Sequence, residues 1–215
     1  MNIFIAGANG GVGRQTVEQA LNAGHRVTAL VRDPAKLPVV HPNLRIIKGD
    51  IMQPKTFTSE MEGQEAVISG LGVSGGNLFN DKPTNLYSQG CGNLLTAMEQ
   101  YGTKRIFCIS ASAVEISPVI PWHVRFVAKY VIQKLLKHMY ADLRLMEDIV
   151  KASNADWTII RPPQLTNGPL TGKYRTAVNQ YLKDCLKISR ADVAHLMVST
   201  LDNKAFNRAI VEIAY

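Results

Sequence analysis

Cysteine is scarce: Cys91, Cys108 and Cys185 are odd in number, far apart, and form no Cys-x-x-Cys pair. This excludes a disulfide framework and a cysteine-held zinc site, so no metal site is expected, and free thiols in a reducing cytoplasm are. No apolar run reaches the about 18 residues of a spanning helix, so no membrane span is expected. A basic n-region and an apolar h-region are also lacking, so no secretory signal is expected. Aromatic residues are 7 % of the chain and the basic residues are spread rather than blocked. That is not the pattern of a nucleic-acid surface, and no nucleic-acid partner is expected. Acids are the rarer charge, 17 against 24 Lys and Arg, for a formal net charge of +7. Such a surplus favours anionic partners, and a phosphorylated small molecule satisfies it as well as a polynucleotide does. Repeats and low-complexity segments are absent, so 215 residues at 46 % hydrophobic read as a single domain, 1–215, with a full core.

What is present is concentrated at the start. Asn2 to Ala6 is a short apolar run with β-branched and aromatic members, the pattern of a buried parallel strand. Gly7, Gly10 and Gly13 follow at spacings of three, and Gln15 to Ala23 resumes at helical period with Val17, Ala20 and Leu21 on one face. Strand, glycine turn and helix together form the context in which such glycines bind a dinucleotide. Gly7 and Gly10 suit a tight turn and close approach of a pyrophosphate, and Gly13 lets the helix lie against the sheet. The amides and dipole at the helix start would attract the phosphates. A glycine-rich turn that binds nothing is the competing reading.

Arg26 to Val31 is the second strand, and Arg32 follows it, 19 residues after Gly13. An acid near this distance takes the ribose hydroxyl of NAD, whereas an arginine suits the 2′-phosphate of NADP. Arg32, with Lys36 and Arg14 nearby, therefore favours NADPH, and Asp33 before Pro34 reads as an N-cap. Leu44 to Lys48 is a third strand ending at Asp50 and Ile51, where Asp50 could flank an adenine or simply cap a turn. A short helix over 54–61 leads to strand four, Ala66 to Ser69, and then to Leu71 and Gly72. Residues 73–83 read as a polar flap, Thr84 to Tyr101 as a long helix, and Arg105 to Ile109 as strand five opening onto Ser110. A basic amphipathic helix is expected from Trp122 to His138, more consistent with a solvated face than with a membrane surface. Another helix is expected over Asp142 to Ala152, then strand six from Asp156 to Arg161 and Pro162-Pro163. Alternating strands and helices imply an α/β, Rossmann-like, doubly wound parallel sheet with helices on both faces and one ligand cleft at the strand carboxyl ends.

The chain resembles the atypical short-chain dehydrogenase/reductase superfamily, and within it the NAD(P)H-binding group that contains biliverdin reductase B (a flavin reductase) and NmrA-like proteins. The resemblance rests on Gly-Ala-Asn-Gly-Gly-Val-Gly (7–13), Leu-Val-Arg-Asp (30–33), Gly-Asp-Ile (49–51), Cys-Ile-Ser-Ala (108–111), Thr-Ile-Ile-Arg-Pro-Pro (158–163), Gly-Pro-Leu-Thr-Gly (168–172) and Ile-Ser-Arg-Ala-Asp-Val-Ala (188–194). It implies NADP(H) on Gly7, Asn9, Gly10, Val12, Gly13, Arg32, Asp50, Ile51, Leu71 and Gly72, with Pro163, Gln164 and Leu165 closing over the nicotinamide. Ser110 would lie beside the hydride path as the catalytic residue. The acceptor pocket would be formed by loops 73–83, 110–122 and 163–175.

The Tyr-x-x-x-Lys pair of the wider superfamily does not fall where it should. Tyr130 and Lys134 match the letters but precede Arg161 by about 27 residues, Tyr140 has Arg144 in place of lysine, and the position of the family lysine falls on Leu143. Epimerase, dehydratase and alcohol-oxidation chemistry are therefore disfavoured. The expected function is NADPH-dependent hydride transfer to a planar conjugated acceptor such as a flavin, a quinone or a biliverdin-like tetrapyrrole. The alternative is a non-catalytic NADP(H)-sensing regulator of NmrA type. The expected partner is a small-molecule acceptor, and the chain a monomer or weak homo-oligomer.

Overall fold

Strand β1 (Asn2–Ala6) lies at the centre of the sheet, its Ile3 and Ile5 entering one apolar layer and its Phe4 and Ala6 the other. Burial on both faces explains the unbroken apolar run, and each large side chain so buried contributes about 1.5–3 kcal/mol. The computed structural model describes residues 1–73, 83–116, 118–119, 125–126, 130 and 133–215. In chain order the further elements are α1 (Gly11–Asn22), β2 (Arg26–Val31), β3 (Leu44–Lys48), β4 (Ala66–Ser69), α2 (Leu86–Tyr101), β5 (Arg105–Ile109) and α3 (Lys137–Ala152). They are followed by β6 (Asp156–Arg161), β7 (Gln164–Thr166), β8 (Arg175–Val178), β9 (Lys187–Ser189), α4 (Arg190–Ser199) and β10 (Ala209–Ala214).

The main sheet has eight strands in the order β3-β2-β1-β4-β5-β6-β10-β8, and β7 pairs with β9 in a separate two-stranded sheet. All main-sheet pairs are parallel except β8 on β10, which turns the sheet's end antiparallel. The chain first winds outward from β1 to β3 and then returns, setting β4 against the other side of β1. Strand order reverses there, so a crevice opens at the carboxyl ends of β1 and β4. Helices α1 and α4 pack together over one face, α2 and α3 over the other.

Two elements differ from expectation. The segment 54–61 forms two 3-10 turns, interrupted at the buried Phe57, rather than one helix. Helix α3 starts at Lys137, after a separate helical turn at Gln133–Leu135, so His138 belongs to it and not to the preceding basic helix. About half of the expected Trp122–His138 helix, and the 73–83 flap beyond Val73 and before Pro83, lie outside the described residues. Asn85 at the start of α2 makes no side-chain cap. Asp142 of α3 does this work instead, accepting from the amides of Tyr87 (2.9 Å) and Ser88 (3.2 Å) and from the Ser88 hydroxyl.

Candidate functional site

The turn after β1 is shaped by contact. Gly7 has φ +72°, and a Cβ there would stand 2.6 Å from the Gly70 carbonyl oxygen. A Cβ on Gly13 would stand 2.1 Å from the Gly7 carbonyl oxygen, so α1 can approach the turn only through a glycine. Gly13 lies behind the turn, while Gly7, Asn9, Gly10 and Val12 line a cleft of about 1230 Å³ at the strand carboxyl ends. Helix α1 has no acid in its first turn and no side-chain cap. Among the described residues, no protein acceptor takes the amides of Gly11 and Val12. Unsatisfied amides at a helix start, beside a glycine-walled cleft, form a fitting seat for an anion.

The far end of this part of the cleft carries Arg32, Asp50 and Ile51. Of the three cations expected there, Arg14 is paired with Glu18 (2.9 Å) and Lys36 stands 3.9 Å from Asp33. Arg32 lines the cleft and, among the described residues, pairs with no carboxylate. Asp33 accepts from the Ala35 amide as the expected cap. Asp50 caps its turn, one oxygen accepting from the Met52 amide (3.0 Å), and the residue also lines the cleft.

Leu71, Gly72 and Ser110 lie at the ends of β4 and β5, and Pro163, Gln164 and Leu165 face them from beyond β6. Ser110 is buried and donates its hydroxyl to Glu147 Oε1 (2.7 Å). Glu147 accepts two further bonds from Arg161, Nε to Oε1 (2.9 Å) and Nη2 to Oε2 (2.6 Å), and one from Lys151 (3.0 Å). Burial alone would raise the Glu147 pKa, but the bonds and charge of Arg161, then Ser110 and Lys151, outweigh it and hold the carboxyl below its ordinary value. Arg161 also donates to Glu115 (2.9 Å), which Tyr181 reaches through its hydroxyl (2.5 Å).

Sequence reasoning missed Glu147, and it missed Glu212, which lines the same end of the cleft. Each carries a readable signal: a charge inside an apolar pattern. Glu147 interrupts the buried stripe of Leu143, Met146 and Val150, and Glu212 interrupts Ala-Ile-Val-Glu-Ile-Ala. The Glu212 carboxylate accepts from the Leu182 amide (2.6 Å), and burial pushes its pKa up against the opposing pull of that amide and Arg161. Burial likewise raises the phenols of Tyr87 and Tyr140, and pushes the Cys185 thiol up to about 12.

The rest of this wall is apolar. Leu143, at the position expected for the family lysine, lines it, as does Met139 one turn earlier. Tyr140 also faces the cleft, but Arg144 turns away and donates to the Val114 carbonyl through Nε (3.2 Å) and Nη2 (3.1 Å). Tyr130 is exposed with its ring 4.7 Å from Phe126 and does not line the cleft. The Gly-Pro-Leu-Thr-Gly and Ser-Arg-Ala-Asp segments meet at Asp192. Its carboxylate accepts from the amides of Thr171 and Gly172 (both 2.9 Å) and from the hydroxyls of Thr171 (2.8 Å), Ser189 (3.1 Å) and Tyr215 (2.6 Å). This narrow sequence signature is thus a lock that fixes the loop past β7 onto the start of α4. Among the described residues no cluster could hold a metal ion, and no helix is long and apolar enough to cross a membrane.

A reversed-order parallel sheet with a glycine turn and an uncapped helix at its crevice defines a dinucleotide-binding α/β domain. The chain belongs to the NAD(P)H-binding family, whose profile matches residues 7–204. It is 31 % identical over 209 residues to a Bacillus subtilis protein named as an uncharacterized sugar epimerase, YhfK, spanning 95 % of this chain and 89 % of that one. A short-chain dehydrogenase/reductase from Veillonella parvula solved in complex with NADP has a TM-score of 0.81 at 17 % identity, covering 100 % of this chain and 94 % of that one. ChuY, described as an anaerobillin reductase from Escherichia coli O157:H7, has a TM-score of 0.76 at 21 % identity, with 99 % and 96 % covered. The two structural likenesses show the fold.

Proposed function

We propose that this protein is an NADPH-dependent reductase of a planar, conjugated acceptor, with a flavin, a quinone or a biliverdin-like tetrapyrrole as the acceptor class. The observation that carries this reading is the apolar pair Met139 and Leu143 on the cleft wall, where an acid–base pair for alcohol or sugar chemistry would stand. Bound NADPH supplies the hydride, and the protein supplies position and electrostatics. Gly7, Asn9, Gly10 and Val12 hold the phosphates, with Gly13 setting the helix behind them. Arg32 takes the 2′-phosphate, Asp50 and Ile51 flank the adenine, and Leu71, Gly72, Pro163, Gln164 and Leu165 enclose the nicotinamide.

The Ser110 hydroxyl donates its hydrogen bond to Glu147, so toward the cleft it offers lone pairs and acts by orienting a donor group. Tyr87 and Tyr140 present aromatic surface with weakly acidic hydroxyls to a flat acceptor. The proton that accompanies the hydride has its readiest source at this end in Glu212, whose buried carboxyl holds a proton to higher pH than an ordinary glutamate. The free thiols of Cys91, Cys108 and Cys185 support a reducing compartment, the cytoplasm, as the place of action.

The test is NADPH oxidation followed at 340 nm (the reduced-nicotinamide band) with FMN, riboflavin, a soluble quinone or biliverdin as acceptor. Turnover with at least one is expected. Saturable NADPH binding with no turnover on any of them would favour the NADP(H)-sensing regulator instead.

A further inference from the structure

Two positively polarised features share one corner of the cleft. The first is the start of α1, with no acid in its first turn and no side-chain cap. The second is Arg190, the first residue of α4, which crosses the cleft margin directly over Gly11. A Cβ on Gly11 would stand 2.6 Å from Arg190 Cδ and 2.7 Å from its Nε. Only a glycine at position 11 lets the arginine lie this close to the helix start.

Among the described residues the guanidinium has only neutral partners. Its Nη1 donates to Asn167 Oδ1 (2.7 Å) and more distantly to the Leu165 carbonyl (3.5 Å). Among the described residues no carboxylate pairs with it, and Asp192, two residues on, is committed to Thr171, Gly172, Ser189 and Tyr215. A cation held against the positive end of a helix is repelled unless an anion lies between them. The fold nevertheless fixes it there, through the Asp192 lock on one side and Asn167 on the other.

We propose that Arg190 is the side chain that binds the pyrophosphate of the nicotinamide dinucleotide, closing the phosphate site opposite the amides of Gly11 and Val12. This rests on the NAD(P)H reading of the same cleft and assigns its two unpaired arginines different work. Arg32 meets the 2′-phosphate, which NADPH has and NADH lacks; Arg190 meets the diphosphate common to both. Through Asn167 and Leu165 the same guanidinium links phosphate occupancy to the segment that faces the nicotinamide end.

The experiment is titration of NADPH and NADH by calorimetry into the wild-type chain, Arg190→Met, Arg190→Lys and Arg32→Ala, with circular dichroism to check the fold. Arg190→Met should weaken both nucleotides by a similar factor, about 10-fold or more, since a charge-assisted contact is lost. Arg190→Lys should recover part of that loss. Arg32→Ala should weaken NADPH alone. Gly11→Ala, which displaces the guanidinium without removing it, should also weaken both, and it serves if Arg190→Met does not fold. The assignment is overturned if Arg190→Met and Gly11→Ala leave both affinities within about twofold of wild type. It is also overturned if only NADPH is weakened, which would make Arg190 a second reader of the 2′-phosphate. Wild-type protein that takes up neither nucleotide would overturn the parent reading as well, an outcome visible before any variant is made.

Discussion

Ser110 Oγ lies 2.7 Å from Glu147 Oε1 and donates to it, on the boundary between the cleft and the buried Arg161 pair. A hydroxyl committed in this way cannot also donate to an acceptor's carbonyl. Ser110→Ala should therefore lower turnover by about 10-fold while leaving NADPH affinity near wild type, because only an orienting bond is lost. Equal losses in both would show that Ser110 binds the cofactor and does not position the acceptor.

Glu147 has a second consequence. Glu147→Gln removes the charge that compensates Arg161, whose remaining carboxylate partner, Glu115, is over half exposed. Breaking a buried pair by deleting one member costs about 3–5 kcal/mol, and the partial compensation from Glu115 places this variant near the lower figure. Urea unfolding of the variant against wild type measures it. A loss below about 1 kcal/mol would mean the Arg161 charge is already well solvated.

Arg32→Glu should reverse nucleotide preference. Loss of a charged contact and repulsion of the 2′-phosphate should weaken NADPH by about 100-fold and leave NADH little changed. Competition binding with the two cofactors reads the ratio directly. An unchanged ratio would remove Arg32 from the 2′-phosphate site.

Gly13→Ala should cripple folding and not merely binding. Its Cβ would stand 2.1 Å from the Gly7 carbonyl oxygen, and both partners are backbone in a packed turn. A destabilisation of about 4 kcal/mol or more follows, visible as insoluble protein or a collapsed melting transition. Near-normal melting would show that α1 can slide away from β1.

The pH profile of stability follows from carboxylates displaced in both directions. In Glu147 and Asp192, bonds to the ionised form outweigh burial; in Glu115 the Tyr181 bond leads, then Arg161; all three pKa values are lowered. A lowered folded pKa gives stability that is present above the unfolded value, near pH 4, and is lost as pH falls through the folded value. Melting temperature should therefore hold across neutral pH and fall below about pH 4. Glu212 has the opposite sign, because its raised pKa favours the folded state at low pH and costs stability once it ionises. Glu212→Gln should thus be neutral or stabilising at pH 7 while it slows acceptor reduction. A variant with wild-type turnover at every pH would eliminate Glu212 as the proton source.

The residues themselves determined everything that depends on near neighbours. Alternating strand and helix patterns, the glycine turn at 7–13, Arg32 at the end of β2 and the Asp33-Pro34 cap all follow from local backbone preference and periodicity. They place the cleft at the carboxyl ends of the strands. Tertiary packing decided the rest, because those partners are far apart along the chain. Asp142 caps a helix that begins 56 residues before it, Ser110 donates its hydrogen bond to a glutamate 37 residues on, and Arg190 lies across a glycine 179 residues earlier. A buried charge must find its counter-charge wherever the fold brings one. A sequence can mark such a residue as out of pattern, as with Glu147 and Glu212, but only folding selects its partner.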